Sequence, residues 1–367
     1  MKAKRNPNIE LLRIFSIVLV LLSHCISHSD ANSGLLLNPE HTITFNHIFA
    51  VLTGTWGRLA VEVFVFISAY YMADKESGFR SKKIIKIGAQ TWFWCVMIMC
   101  LVYGFYLREV LMSIIIKELL TPAYPQYWFI TNYILFYLLM PFLQHLVSKL
   151  KFHHLKCLVV LLTCMIACFR MAESVSNLVY FGYLFIVAAF LKRDEGWLER
   201  KRKIILPIMF IMSVCFKFMI YDFDLLTGRE LPGAVLSGIE VLSGFVTSIM
   251  AIALFYIFKC HDDRFLVRAE SINRLSRATL GVYIIHENIL LRGSRGESAL
   301  LWDNIFHVGD AFYSSNMFII RVFLAVAVVY IFCVLMENIR IEIMDKRIIE
   351  KFRWLDKISK RIDGYFQ

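Results

Sequence analysis

Charge is scarce in this chain. Of 367 residues only 19% are Asp, Glu, Lys or Arg, while 58% are hydrophobic. One soluble core cannot hide that much apolar surface, so the composition excludes a single water-soluble domain and implies a polytopic membrane protein. There is no internal repeat, no low-complexity segment and no appended soluble domain. The nine cysteines contain no Cys-x-x-Cys pair, and Cys95, Cys100, Cys164, Cys168 and Cys333 fall inside apolar stretches. Neither a disulfide framework nor a cysteine zinc site is expected, and packing is the expected role of these thiols. Acidic residues are outnumbered, 29 against 40 basic, for a net charge of +11.

Apolar segments long enough to span a bilayer occur near residues 11–28, 50–72, 84–107, 127–147, 155–170, 175–191, 203–221, 234–258, 277–291 and 316–336. The fold expected is therefore an all-α transmembrane bundle of about ten spans. The fifth, sixth and ninth spans are the shortest, and Thr55-Trp56-Gly57-Arg58 interrupts the second, which is expected to start at or just before Arg58. Placing both termini in the cytoplasm puts most basic residues in inner loops, including Arg200, Lys201, Arg202 and Lys203 and, in the tail, Lys346, Arg347, Lys351 and Arg353. The positive charge then follows from topology and from attraction to anionic lipid, and nucleic acid is not needed as a partner. Lys2, Lys4 and Arg5 suit a signal peptide, but Arg13 interrupts the apolar core, and the first span is expected to be retained. Residues 1–338 form the membrane domain. Residues 339–367 form a basic tail with Ile341, Met344, Ile348, Ile349, Phe352 and Leu355 at helical spacing, as in an amphipathic helix on the inner leaflet.

Arg13 and His24 are the first polar residues that such spans must explain. An ionised group near the bilayer centre costs roughly 2.5–3.5 kcal/mol. Eleven residues of α-helix turn through about 1100° and rise about 16 Å, so both side chains leave nearly the same face at different depths. The intramembrane polar groups sort into two layers. The inner one holds Glu10 and Arg13, which can pair along the helix, with Lys83 and Lys86. The outer one holds His24, Arg58, Glu62, Trp128, Asn132, His286 and Glu287. Lys83-Ile-Ile-Lys86 reads as a topology signal with snorkelling lysines or as a clamp for a multiply charged phosphate, and Arg13 in the same layer favours the clamp. A neutral His24 imidazole can act as a general base if a second group orients its other nitrogen; Glu62 and Ser68 are candidates. Tyr127 and Trp128 suit an interfacial belt or a sugar-stacking cleft, with Asn132 as a hydrogen-bonding neighbour. His286 suits either acceptor binding or structural bonding. Lys217 and Arg321 receive no role.

Together these residues resemble the acyltransferase-3 family of bacterial integral membrane proteins. Glu10, Arg13 and His24 resemble its first-helix motif. Ala60-Val-Glu62-Val-Phe64-Val-Phe66-Ile-Ser68-Ala-Tyr70 resembles its second, with Glu62 and Ala69 in place of the usual Asp and Gly. Lys83-Ile-Ile-Lys86 stands where the family has Arg-x-x-Arg, and Gly281-Val-Tyr283-Ile-Ile-His286 resembles a late Tyr-Leu-Ile-His element. The resemblance runs from Asn8 to about Asn338. Trp128-Phe-Ile-Thr-Asn132-Tyr133 lacks the carboxylate of a Trp-Ser-Leu-x-x-Glu segment seen in many members, which brings it closer to the branch that modifies exopolysaccharide, capsule or enterobacterial glycan.

The resemblance implies an O-acyltransferase of the bacterial cytoplasmic membrane, with acetyl the expected group. It further implies no permanently bound cofactor and no metal, acyl-CoA as donor substrate against Arg13, Lys83 and Lys86, His24 and Glu62 as catalytic groups, and Tyr127, Trp128, Asn132 and His286 against the glycan. Self-association is left open. The rival reading is a transporter for a polysaccharide or lipid-linked sugar. It predicts repeats and Gly/Pro-broken spans at matching positions, which the sequence lacks. A glycan polymerase is a third reading.

Overall fold

The computed structural model describes residues 6–30, 43–73, 81–105, 112–121, 126–171, 176–194, 196–260, 269–293, 299–314, 317–345 and 353–364. Among these every regular element is helical. In order they are α1 (Pro7–Ser27), α2 (Phe45–Gly54), α3 (Trp56–Met72), α4 (Ser81–Phe105), α5 (Met112–Leu119), α6 (Trp128–Lys149), α7 (Phe152–Met171), α8 (Asn177–Arg193), α9 (Trp197–Tyr221), α10 (Phe223–Thr227), α11 (Gly233–Lys259), α12 (Ala269–Arg277), α13 (Thr279–His286), α14 (Ile289–Arg292), α15 (Val308–Ser314), α16 (Phe318–Arg340) and α17 (Arg353–Asp363). Two π-helical turns, Leu300–Ile305 and Ile341–Asp345, flank α15 and α16.

Among the described residues seven stretches are long and apolar enough to cross a membrane: α1, α2 with α3, α4, α6, α9, α11, and α16 with its following turn. The expected count of about ten is not confirmed. The shortfall falls on the three shortest segments. α7 contributes only a shorter apolar stretch, Phe152–Cys168, and α8 has 17 residues. The ninth is broken into α13 and α14 where Glu287 and Asn288 leave the helix.

α1 is the centre of the bundle. The Asn6 side chain accepts from the Asn8 N–H at 2.9 Å, satisfying one orphan donor, and Pro7 in the first turn has no N–H to satisfy. The helix then packs against α2, α3, α11, α12, α13 and α16. Most of its surface is covered, with Phe15 left exposed, and its polar residues Glu10, Arg13 and His24 are buried or half-buried inside protein, where spanning chains tolerate them. α2 stops at Thr55 and α3 starts at Trp56, two residues before Arg58, close to the expected break. At the far end of α9, buried His47 of α2 meets buried Asp222 at 2.5 Å, which ties these elements together.

The tail does more than lie on a surface. α17 packs on the first turn of α4, where the Ser81 N–H donates to Asp363 Oδ1 at 2.7 Å and Ser81 Oγ bonds Ser359 Oγ at 2.9 Å. Asp363 therefore caps the helix that carries Lys83. Ile348, Ile349 and Phe352 of the expected apolar stripe lie outside the described residues.

Candidate active site

His24, near the C-terminal end of α1, sits at the centre of a polar cluster built largely by the break after α13. Its Nδ1 lies 2.8 Å from Glu287 Oε2 and 2.9 Å from His286 Nε2. His28 Nε2, one turn further along α1, reaches the same Glu287 oxygen at 3.0 Å, and Arg292 Nη1 reaches Oε1 at 3.2 Å. The tautomers follow from these contacts. His286 Nδ1 donates to the Val282 carbonyl at 2.5 Å, so its Nε2 carries a lone pair. His24 Nδ1 then faces two acceptors and must hold the proton, which leaves His24 Nε2 with the basic lone pair. An oriented, neutral imidazole backed by a carboxylate is the arrangement a general base requires.

Glu287 is held in place from behind. Asn288 donates to Tyr127 Oη at 3.0 Å and to Glu118 Oε2 at 3.2 Å, and caps α14 through Leu290 N–H at 3.0 Å. Gln126 donates to Glu118 Oε1 at 2.9 Å, and Tyr127 donates to the Ile284 carbonyl at 3.1 Å. The donor atoms of His24, His28 and Glu287 lie within 4.8 Å of one another, a set that could chelate a cation. To do so His24 Nδ1 would have to lose its proton and the direct 2.8 Å contact would have to open, since each ligand atom needs about 2.0–2.2 Å to a zinc-sized ion.

Two cavities flank α1 and meet. One, about 310 Å³, is lined by Arg13, Ser68, Lys83, Tyr133, Thr279 and apolar residues including Ile17, Phe129 and Ile130. The other, about 300 Å³, is lined by His24, Arg58, Glu62, Trp128, Asn177 and Tyr180 among others. Val20, Val61 and Tyr283 line both. In the first, Lys83 Nζ donates to Tyr133 Oη at 2.9 Å and lies over the Tyr137 ring at 4.5 Å, while Tyr133 Oη also meets Ser68 Oγ at 3.1 Å. Arg13 Nε is buried there without a hydrogen-bond partner. A guanidinium with an unused donor in the same cavity as an ammonium suits an anion.

The residues expected at the site thus separate. Arg13 and Lys83 share one cavity; His24, Glu62 and Trp128 share the other, with Trp128 38% exposed. Lys86, half-buried, lies outside both linings because Lys83 and Ile87 set the face that α4 turns inward. Glu62 does not orient His24: its Oε1 accepts from Arg58 Nε at 3.0 Å, and Glu287 takes the orienting position. Tyr127 is fully buried in the brace behind Glu287, so it offers no face for stacking. Asn132 bonds back to the Trp128 carbonyl at 2.7 Å on its own helix and lines neither cavity. His286 is fully buried against His24 and makes no wall of the outer cavity. His28, Glu118 and Asn288 carry no role in the sequence reading. His28 had a signal in its spacing, one turn beyond His24; the other two had none.

Among the described residues the chain is an all-helical bundle of apolar helices with a histidine–carboxylate pair at the wall of the outer cavity, an arrangement suited to an intramembrane enzyme. Residues 6–338 match the model of the acyltransferase domain family, and the chain belongs to that family. It is a membrane acyltransferase, and the match gives no support to a transporter. No curated protein and no solved structure matches the chain.

Proposed function

We propose that the protein moves an acyl group, acetyl in the first place, from cytoplasmic acyl-CoA to a sugar hydroxyl of a cell-surface or lipid-linked glycan, in the cytoplasmic membrane of a bacterium. The observation that carries this reading is the meeting of the two cavities at Val20, Val61 and Tyr283. One has cations for a nucleotide phosphate and an apolar bore for the acyl-bearing arm. The other has a base and polar groups suited to a sugar. On the topology the loop charges predict, with both termini cytoplasmic, the Arg13 and Lys83 cavity would open toward the donor and the His24 cavity toward the glycan.

The sugar hydroxyl attacks the thioester carbonyl carbon as His24 Nε2 takes its proton. The imidazolium that forms is stabilised by Glu287 through Nδ1–H. When the tetrahedral intermediate collapses, the C–S bond breaks, and the same proton passes from Nε2 to the departing thiolate. The products are the O-acyl ester and free CoA. Trp128 supplies an apolar face for the sugar, and Arg58, Glu62 and Asn177 supply its hydrogen bonds.

The test is mass analysis of surface glycan from a deletion strain complemented with the parent or with His24→Ala. Loss of an acyl substituent in both the deletion and the variant, at equal membrane protein level, is the expected result, since general-base catalysis contributes typically about 10²–10⁴-fold. Unchanged acylation in the His24→Ala strain refutes the assignment.

A further inference from the structure

The tetrahedral intermediate carries a negative oxygen, and within a spanning helix the peptide N–H groups are already committed to the i−4 carbonyls. A stabilising donor must therefore be a side chain or a helix start. Both converge at the junction of the two cavities.

Tyr283 lines both cavities and is only 5% exposed. Its hydroxyl is buried and makes no hydrogen bond, although leaving such a group unsatisfied costs about 1–3 kcal/mol. Its ring is fixed on several sides. Phe129 packs edge-on at 5.6 Å and Tyr127 at 6.2 Å between centroids, while the His286 and His24 rings lie at 6.0 and 6.4 Å. The hydroxyl is thus held beside the base and cannot rotate off to find a partner.

The second observation is the start of α6. This 22-residue helix has Tyr127 as its N-cap residue, and the Tyr127 side chain gives no capping bond because its hydroxyl is spent on Ile284. First-turn N–H groups have no partner within the helix, and the helix dipole adds positive potential there. The first two residues of that turn face opposite ways: Trp128 lines the outer cavity and Phe129 the inner one.

We propose that the Tyr283 hydroxyl, together with the first-turn peptide N–H groups of α6, forms the oxyanion pocket of the acyl transfer, accepting the thioester carbonyl oxygen where the two cavities meet. This rests on the acyl-CoA reading given above. The oxygen gains negative charge as the sugar oxygen–carbon bond forms, the pocket holds it while His24 keeps the proton, and it reverts to a carbonyl as the C–S bond breaks. The phenol donates a hydrogen bond throughout and transfers no proton. Such a role accounts for a buried hydroxyl with no partner in the free protein: its partner is a reacting atom.

The test uses purified full-length protein in nanodiscs and two donor analogues, a trifluoromethyl ketone analogue of acetyl-CoA that forms a tetrahedral hydrate, and the methyl ketone that stays planar. In Tyr283→Phe the trifluoromethyl ketone should bind about 10²-fold more weakly, with the methyl ketone unchanged. With acetyl-CoA and glycan extracted from the deletion strain, kcat should fall about 10²–10³-fold, the loss typical of one oxyanion donor, with KM for the donor preserved. A residue with only a packing role would weaken both analogues alike or neither. A second variant carrying 3-fluorotyrosine at 283 keeps the shape and strengthens the donor, so it should tighten the trifluoromethyl ketone. Equal affinities for both analogues across parent and variants overturn the pocket. If His24→Ala meanwhile abolishes turnover and Tyr283→Phe does not, the acyltransfer reading stands without this pocket. If the parent binds neither analogue, the acyl-CoA reading falls and takes the pocket with it.

Discussion

Replacing Glu287 by Gln removes one charge from the centre of the site while leaving its shape. The carboxylate oxygen lies 2.8 Å from His24 Nδ1 and is almost wholly buried. In the variant the amide oxygen can still accept from Nδ1–H with the NH2 turned toward Arg292, and His286 Nε2 remains a second acceptor at 2.9 Å. The tautomer is therefore kept, and what is lost is attraction between the carboxylate and the imidazolium of the transition state. Two unit charges with centres about 4 Å apart interact by about 4 kcal/mol at an effective dielectric of 20 and by about 1 kcal/mol in bulk water. At 1.36 kcal/mol per tenfold, kcat should fall by between about fivefold and about 10³-fold, toward the upper end because the site is buried. The assay is release of free thiol from acetyl-CoA by protein in nanodiscs supplied with glycan from the deletion strain. His24→Ala sets the floor and Arg292→Ala serves as a control that leaves both histidine contacts intact. Parental kcat in Glu287→Gln, at equal thermal midpoint, would refute the histidine–carboxylate pair as the source of basicity.

Lys83→Ala should raise the KM for acyl-CoA about 10–100-fold, the worth of a hydrogen bond to a charged group, without moving that for glycan; Trp128→Ala should raise the glycan KM several-fold and leave the donor alone. A Cβ on Gly281 would run into the fully buried Glu337 side chain, which accepts from Gln90 at 3.0 Å, Trp94 at 2.7 Å and Arg340 at 2.8 Å; Gly281→Ala should therefore cost at least the roughly 1–3 kcal/mol of an overpacked core, read as a lower thermal midpoint in detergent. Asp303 accepts from the Gly309 and Asp30 N–H groups at 3.1 Å, yet burial and the nearby Asp30 charge push it up to about 6; its folded value lies above the unfolded one of about 3.9, so the stability it contributes is fully present below about pH 4 and is lost as pH rises through about 6. Asp303→Asn should flatten the fall in thermal midpoint over that window, and an unchanged slope counts against it. In a background without the nine cysteines, Glu230→Cys should react with an impermeant thiol reagent from outside and Lys360→Cys should not; the reverse pattern would exchange the donor and acceptor sides.

The sequence separated Arg13 and Lys83 from His24, Glu62 and Trp128 more plainly than it paired any of them. Arg13 and His24 stand out because ionisable groups in apolar helices are costly, and helical spacing alone puts them on one face. The carboxylate opposite His24 is 263 residues away in the chain, and no local pattern links the two; Glu62 was nearer in sequence, and its own helix supplies Arg58 at i−4 to engage it. Asn132 illustrates another limit, because an amide inside a helix can satisfy itself on the i−4 carbonyl and so leave the cleft. Tyr127 looked like an interfacial aromatic, but the residue just before a helix can fold its side chain inward, and here the hydroxyl braces the α13 break. The shortness of the ninth apolar segment was legible; that its break at Glu287 and Asn288 builds the site was not.

That break is also what assembles the polar cluster around His24. An unbroken span would commit every N–H and keep Glu287 on a helix face fixed by its neighbours. Ending α13 at His286 frees Glu287 to meet two imidazoles of α1 and Arg292, while Glu118, Tyr127 and Asn288 satisfy the polar groups the break exposes. The two cavities touch only at two valines and a tyrosine. On the proposed reading the acyl group alone crosses the junction, and the bilayer stays sealed to both substrates.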